Sequence, residues 1–255
     1  MQPIVVGVAV FVCTLGAALL GMWLRAVLPP HHVDTHSRGT IQAGIGLVAT
    51  MTALVLGLVT ASAKSSNDAV VAAVKNTAID VLELDRVLGR YGSEAGEIRK
   101  GLKQVVGVQL DRIWPRSPAT AARLDPLRSG AASRAEGLAD AIRRLQPRDD
   151  LQRALQLRAL ELADTLLKTR WLTLAGTAPS VPVPFLVILL FWLTIIFASF
   201  GLFAPRNPLV VIVLVVCALS VASAVFLVLE LNGPFEGLLK VSGDPLRQAY
   251  THLDQ

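Results

Sequence analysis

The chain has 255 residues, 53% hydrophobic and only 17% charged, with a formal net charge of +5. A soluble globular domain carries about a quarter charged residues, so the composition already argues against one. No Asp, Glu, Lys or Arg occurs in 1–24, 39–63, 171–205 or 207–229. A chain this small has too little remaining polar surface to hide four such stretches in a soluble core.

A bilayer-spanning helix needs about 20 apolar residues. The predicted spans are 4–24, 41–63, 185–204 and 208–230. They define an all-α polytopic membrane protein with two spans on either side of a helical insert. The first span lacks a basic stretch ahead of it and an A-x-A site after it, so it is expected to be a retained helix rather than a signal peptide. Cys13 and Cys217 both fall inside spans and read as small apolar-environment residues, not a disulfide. The predicted organisation is a first transmembrane hairpin (1–63), a helical cytoplasmic domain (64–182), a second hairpin (183–230) and a cytoplasmic tail (231–255).

The connection after the first span contains His31, His32, Asp34 and His36. Three imidazoles and a carboxylate can bind Zn²⁺, but no partners for orienting such ligands are evident. The cluster is read as a polar loop, and neither a metal nor a cofactor is expected. Around the second span, Ala49, Ala53, Gly57 and Ala61 recur every fourth residue, a pattern that lets helix backbones approach closely. Beside that stripe run Leu47, Met51, Leu54 and Leu58, followed by Ser62 and Ser65. Both stripes suit packing inside a monomer. Several copies arranged in a ring would instead turn the bulky stripe towards an axis, where an apolar constriction gates ions by dewetting.

No Pro or Gly lies between Gly57 and Gly89, so the second span is expected to continue beyond the bilayer as one helix. Val70, Val74, Thr77, Val81, Leu84 and Leu88 form its seam. Gly89 and Gly92 stop it, with Ser93 expected to cap the next helix, which carries Ile98, Leu102, Val105 and Ile113 and ends at Trp114-Pro115. A loop from Pro115 to Gly130 contains a candidate short helix at 119–124. A third insert helix is expected at 131–145. A fourth starts at Asp149-Asp150, ends near Lys168 and Arg170, and presents Leu151, Leu155, Leu162 and Leu166 on one face. An extended Pro-rich linker, 177–184, leads to the third span.

The 14 acids and 19 bases of residues 64–180 are spread as on a solvated surface. No aromatic-plus-basic patch suggests nucleic acid. Neither a phosphate-binding glycine loop nor a CxxC, G-x-S-x-G or HExxH motif occurs, so an enzyme is not expected. Charge near the span ends sets orientation. Lys64, Lys75, Lys168, Arg170, Lys240 and Arg247 on the insert side outnumber Arg25, Arg38 and Arg206. The insert and both termini are therefore expected in the cytoplasm, with the spans in a bacterial inner membrane. Trp23 and Trp171 stand where interfacial aromatics belong.

The stretch from Leu54 to Asp68, LVLGLVTASAKSSND, and the tail from Leu231 to Arg247, LNGPFEGLLKVSGDPLR, resemble a bacterial family of bestrophin-like membrane proteins of unassigned function. The resemblance runs through nearly the whole chain. More distantly, it extends to bestrophins, which share the two-plus-two spans and cytoplasmic insert and assemble as pentameric ion channels walled by the second span. It implies a homo-oligomeric, pentameric channel in lipid, with Leu58 and Leu54 as neck positions in the Leu56-Gly57-Leu58 element and Met51 and Leu47 further out. Leu58 stands where that element of bestrophins has an aromatic. After Glu230 only Glu236, Asp244 and Asp254 follow, so the acidic run of calcium-gated bestrophins is missing and calcium gating is not expected. The alternative is a non-conducting scaffold or sensor whose cytoplasmic helices bind a partner.

Overall fold

The structure, a computed structural model, describes residues 2–27, 35–115, 130–175, 183–205, 207–233, 235 and 237–253. All regular elements among them are helical. They are α1 (Pro3–Val27), α2 (Thr35–Tyr91), a 3₁₀ turn (Ser93–Ala95), α3 (Gly96–Ile113), α4 (Gly130–Arg143), α5 (Asp150–Ala175), α6 (Val183–Phe203), α7 (Pro208–Leu231) and α8 (Asp244–His252). Four are long and apolar enough to cross a membrane: α1, α2 from Ile41 onward, α6 from Pro184 and α7. The chain divides into two units, residues 1–67 with 179–239, and residues 68–178 with 240–255.

In the first unit α1 packs chiefly on α6, with α7 beside it. Two apolar clusters hold these helices, one around Val10, Leu189, Leu193, Ala222 and Val225, the other around Ala17, Ala18, Phe197, Leu214 and Ala218. The α1–α6 crossing is a backbone-to-backbone contact. A Cβ on Gly21 would fall on the carbonyl oxygen of Ala198, and one on Gly201 on that of Ala18. Lipid offers apolar side chains the same environment as a protein interior, so helix association in a membrane relies on such close approach. Beyond the crossing, Arg25 donates to the carbonyls of Phe203 and Ala204, satisfying acceptors at the C-terminus of α6. Asn207 caps α7 by accepting from Leu209 N at 3.1 Å, with Pro208 in the first turn. Hydroxyls such as those of Thr14, Thr52, Thr194 and Ser223 bond to carbonyls of their own helix, Thr14 to that of Val10 at 2.8 Å. None of these then needs a partner from lipid.

The second unit is built on the later part of α2. Val81, Leu84, Leu88, Leu102, Ile142, Ala159 and Leu162 are all buried in one core. Of the predicted seam of α2, Val81, Leu84 and Leu88 lie in this core and Val74 is buried, whereas Val70 and Thr77 are half-buried and Ala78 and Val87 join the core instead. The charged partner of this face is Asp85. This 6% exposed carboxylate takes a bidentate pair of 2.7 Å bonds from Arg99 on α3. Nearby, burial pushes the Asp80 carboxyl above its ordinary range; Glu83 adds to this and Arg158 opposes it. Gly92, at φ 127°, ends α2 in a conformation that favours glycine.

Several helix boundaries differ from expectation. Ser93 does not cap α3: it opens the 3₁₀ turn, and α3 starts at Gly96 without a side-chain cap. Asp149 does cap α5, accepting from Gln152 N at 2.6 Å. That helix continues to Ala175, past the expected stop at Lys168 and Arg170. Leu155, Leu162 and Leu166 pack as expected, whereas Leu151, in the first turn, is 68% exposed and Ala159 and Ala163 complete the face instead. The candidate helix at 119–124 lies outside the described residues.

The C-terminal residues belong to this unit's core. Leu246, Ala249 and Leu253 are buried with it. Trp114 Nε1 donates to the carbonyl of Val241 at 2.7 Å. A Cβ on Gly243 would meet the Trp114 ring, and one on Gly107 the ring of Tyr250. Lys103 Nζ sits 5.7 Å from the centre of the Tyr250 ring and donates to the carbonyl of Leu253.

Candidate functional site: the uncovered face of the second helix

Among the four apolar helices, α2 is the least covered by its own chain. Only 6% of its most apolar window is buried, against 22–33% in the other three. Within the first unit α2 makes contact along one side. Thr52 and Ala63 are buried, Val55 and Leu56 pack on the cluster around Val10, and Val59 packs on Val228 and Ala63. Successive residues turn by about 100°. Thr52, Leu56, Val59 and Ala63 therefore share one face, and Leu47, Met51, Leu54 and Leu58 lie roughly opposite.

Those four bulky residues are 62%, 50%, 71% and 69% exposed, respectively, and Ser62 and Ser65 beyond them are exposed as well. The small-residue stripe runs between the two faces. Ala53, Gly57 and Ala61 are exposed, Ala49 is half-buried, and a Cβ on Gly57 would meet nothing within 4 Å. Neither stripe packs inside the isolated chain. The tight crossing that small residues do make lies elsewhere, at Gly21 and Gly201. Its signal was the pairing of small residues on two different spans, Ala18 with Gly21 and Ala198 with Gly201, which cannot be matched across the sequence without knowing which helices touch.

Along this face the chemistry is apolar until Ser62, with no charged residue from Gly39 to Ala63. Thr50 and Thr60 turn their hydroxyls back to the carbonyls of Leu47 and Leu56, at 2.8 and 2.7 Å. A surface of this kind can seat lipid, or line a narrow passage with a dewetted constriction. His31, His32 and Asp34, and the side chain of His36, lie outside the described residues. Among the described residues no three His, Cys, Asp or Glu side chains gather as a metal-binding group.

A membrane protein of long apolar helices, with a second helix shared between a span bundle and a helical unit, defines the class. The Bestrophin-like domain matches residues 12–246, and the chain belongs to that family. The fold agrees with crystal structures of a bacterial bestrophin homologue from Klebsiella pneumoniae. A tryptophan-to-alanine variant of that protein is 15% identical, with 96% of each chain covered and a TM-score of 0.69. A tyrosine-to-alanine variant is 16% identical, covering 95% of this chain and 97% of its own, with a TM-score of 0.67. The structure phased on zinc is 15% identical over 96% of each chain, with a TM-score of 0.67. No curated protein matches the chain.

Proposed function

We propose that the protein is a homo-oligomeric ion channel, pentameric as bestrophins are, whose neck is formed by Leu47, Met51, Leu54 and Leu58 of α2, with Ser62 at its inner end. The observation that carries this reading is the outward-facing leucine stripe on the least covered of the four apolar helices. Burial alone does not decide its partner, because lipid covers leucine as well as protein does. The adjoining small-residue stripe favours another copy of the helix, since lipid does not require Ala and Gly at every fourth position. Copies packed through Ala49, Ala53, Gly57 and Ala61 would turn the neighbouring leucines inward.

Gly57→Leu separates the two partners. With nothing near Gly57 within its own chain, a leucine facing lipid is tolerated and leaves assembly unchanged. A leucine forced between subunits keeps backbones apart, so size-exclusion chromatography is expected to show the oligomer replaced by smaller species. Unchanged elution and activity would remove the stripe from the interface.

In this reading the spans sit in a bacterial inner membrane with the insert and both termini in the cytoplasm. Cysteine labelling tests that orientation in a background of Cys13→Ser and Cys217→Ser. Leu151→Cys, exposed in the second unit, is expected to resist a membrane-impermeant maleimide applied to spheroplasts and to react after lysis. Reaction in intact spheroplasts would reverse the topology.

A further inference from the structure

The last apolar helix ends in a latch. Glu230 is the first charged residue after the charge-free stretch 207–229 and occupies the last turn of α7, yet it is only 3% exposed. A carboxylate there faces the partial negative charge of the helix C-terminus, an unfavourable position without compensation. Compensation comes from the chain folding back. Leu238 N donates to Glu230 Oε2 at 2.7 Å and Leu239 N donates to the same oxygen at 3.4 Å. The turn that brings both N–H groups to one oxygen passes through Gly237 at φ 84°, and a Cβ there would fall on the carboxylate. Both the left-handed backbone and the lack of space require glycine.

The latch displays two apolar side chains. Leu238 is 76% exposed and Leu239 is 48% exposed, although the backbone of Leu238 is hydrogen-bonded to the terminal turn of a membrane span. That turn marks the level at which the span leaves the hydrocarbon. The outer surface of α7 is apolar up to it, with Leu219 and Leu227 exposed. Lys240, the first basic residue after the span, follows directly in the chain, as cations do at a headgroup layer.

We propose that Glu230 and Gly237 hold Leu238 and Leu239 as an interfacial anchor, inserted into the boundary between lipid headgroups and acyl chains where α7 leaves the bilayer. The occupant is the lipid surrounding α7, to whose last turn both leucines are tied through Glu230.

The test uses the full chain carrying Cys13→Ser, Cys217→Ser and Leu238→Cys, labelled with bimane and reconstituted in vesicles of three parts phosphatidylcholine to one part phosphatidylglycerol. Lipid bearing a nitroxide near the top of its acyl chain is expected to quench this label at least about twofold more than the same label at Leu151→Cys, the effect of short-range contact with the bilayer boundary. Aqueous iodide is expected to quench it less than the reference. Adding Glu230→Ala or, separately, Gly237→Ala is expected to release the anchor and exchange lipid quenching for iodide quenching. Iodide quenching equal to the reference overturns the proposal, as does protection from both quenchers, which would place a second copy of the chain over the leucines. Lipid quenching that persists in both latch variants removes Glu230 and Gly237 from the mechanism.

Discussion

Gly201→Val is expected to prevent the span bundle from forming. At the α1–α6 crossing the atom in the way is the backbone carbonyl of Ala18, on a helix that cannot yield as a flexible side chain would. Overpacking a core costs about 1–3 kcal/mol when neighbours can shift. Here two helix backbones must separate, which withdraws the contact holding α1 to α6 and places the loss at or above the top of that range. Gly21→Val faces the carbonyl of Ala198 and is expected to do the same. Gly16→Ala, on the same helix with nothing within 4 Å of the added atom, supplies the contrast and is expected to be neutral. The check is the yield of monodisperse protein and its melting temperature in detergent. Equal stability for Gly16→Ala and Gly201→Val would show that the crossing is looser than described.

Leu54→Ser and Leu58→Ser are expected to raise ion flux through reconstituted liposomes. In an assembled ring each substitution changes every subunit at once, replacing a water-excluding belt with hydroxyls. Flux rises about tenfold for each 1.4 kcal/mol taken from the barrier, and a hydrated ring is expected to give at least that. With 71% and 69% exposure within the chain, neither leucine packs against the rest of its own copy. Val48→Ser and Val59→Ser lie on other faces and are expected to change flux far less. Folded oligomers of both leucine variants that remain as tight as the parent would contradict the neck and favour a non-conducting scaffold.

The helical fold was legible because each span is uniform over some 20 residues and the insert repeats its apolar positions at helical spacing. Of the seam expected from Val70 to Leu88, the later part, Val81, Leu84 and Leu88, is in the core for that reason, while Val70 and Thr77 are half-buried. Local chemistry was less legible. Ser93 looked like a cap by residue type, but the chain takes a 3₁₀ turn first. Leu151 shares a face with Leu155 and Leu162, yet periodicity does not say how far along a helix its partner extends. Long-range pairing was the least accessible. Leu246, Ala249 and Leu253 have helical spacing, but only the fold brings them to α3, where Gly107 and Gly243 make room for Tyr250 and Trp114. At the candidate neck the stripe itself was visible in the sequence, whereas its exposure required knowing that Thr52, Leu56 and Ala63 take up the opposite side.

Direct imaging of the detergent-solubilised protein by single-particle electron microscopy bears most closely on the channel reading. The expected result is a closed ring, five-fold symmetric, with α2 innermost and Leu54 and Leu58 of every copy facing the axis across a narrow gap. A monomer, or an oligomer in which those leucines face detergent, would contradict it.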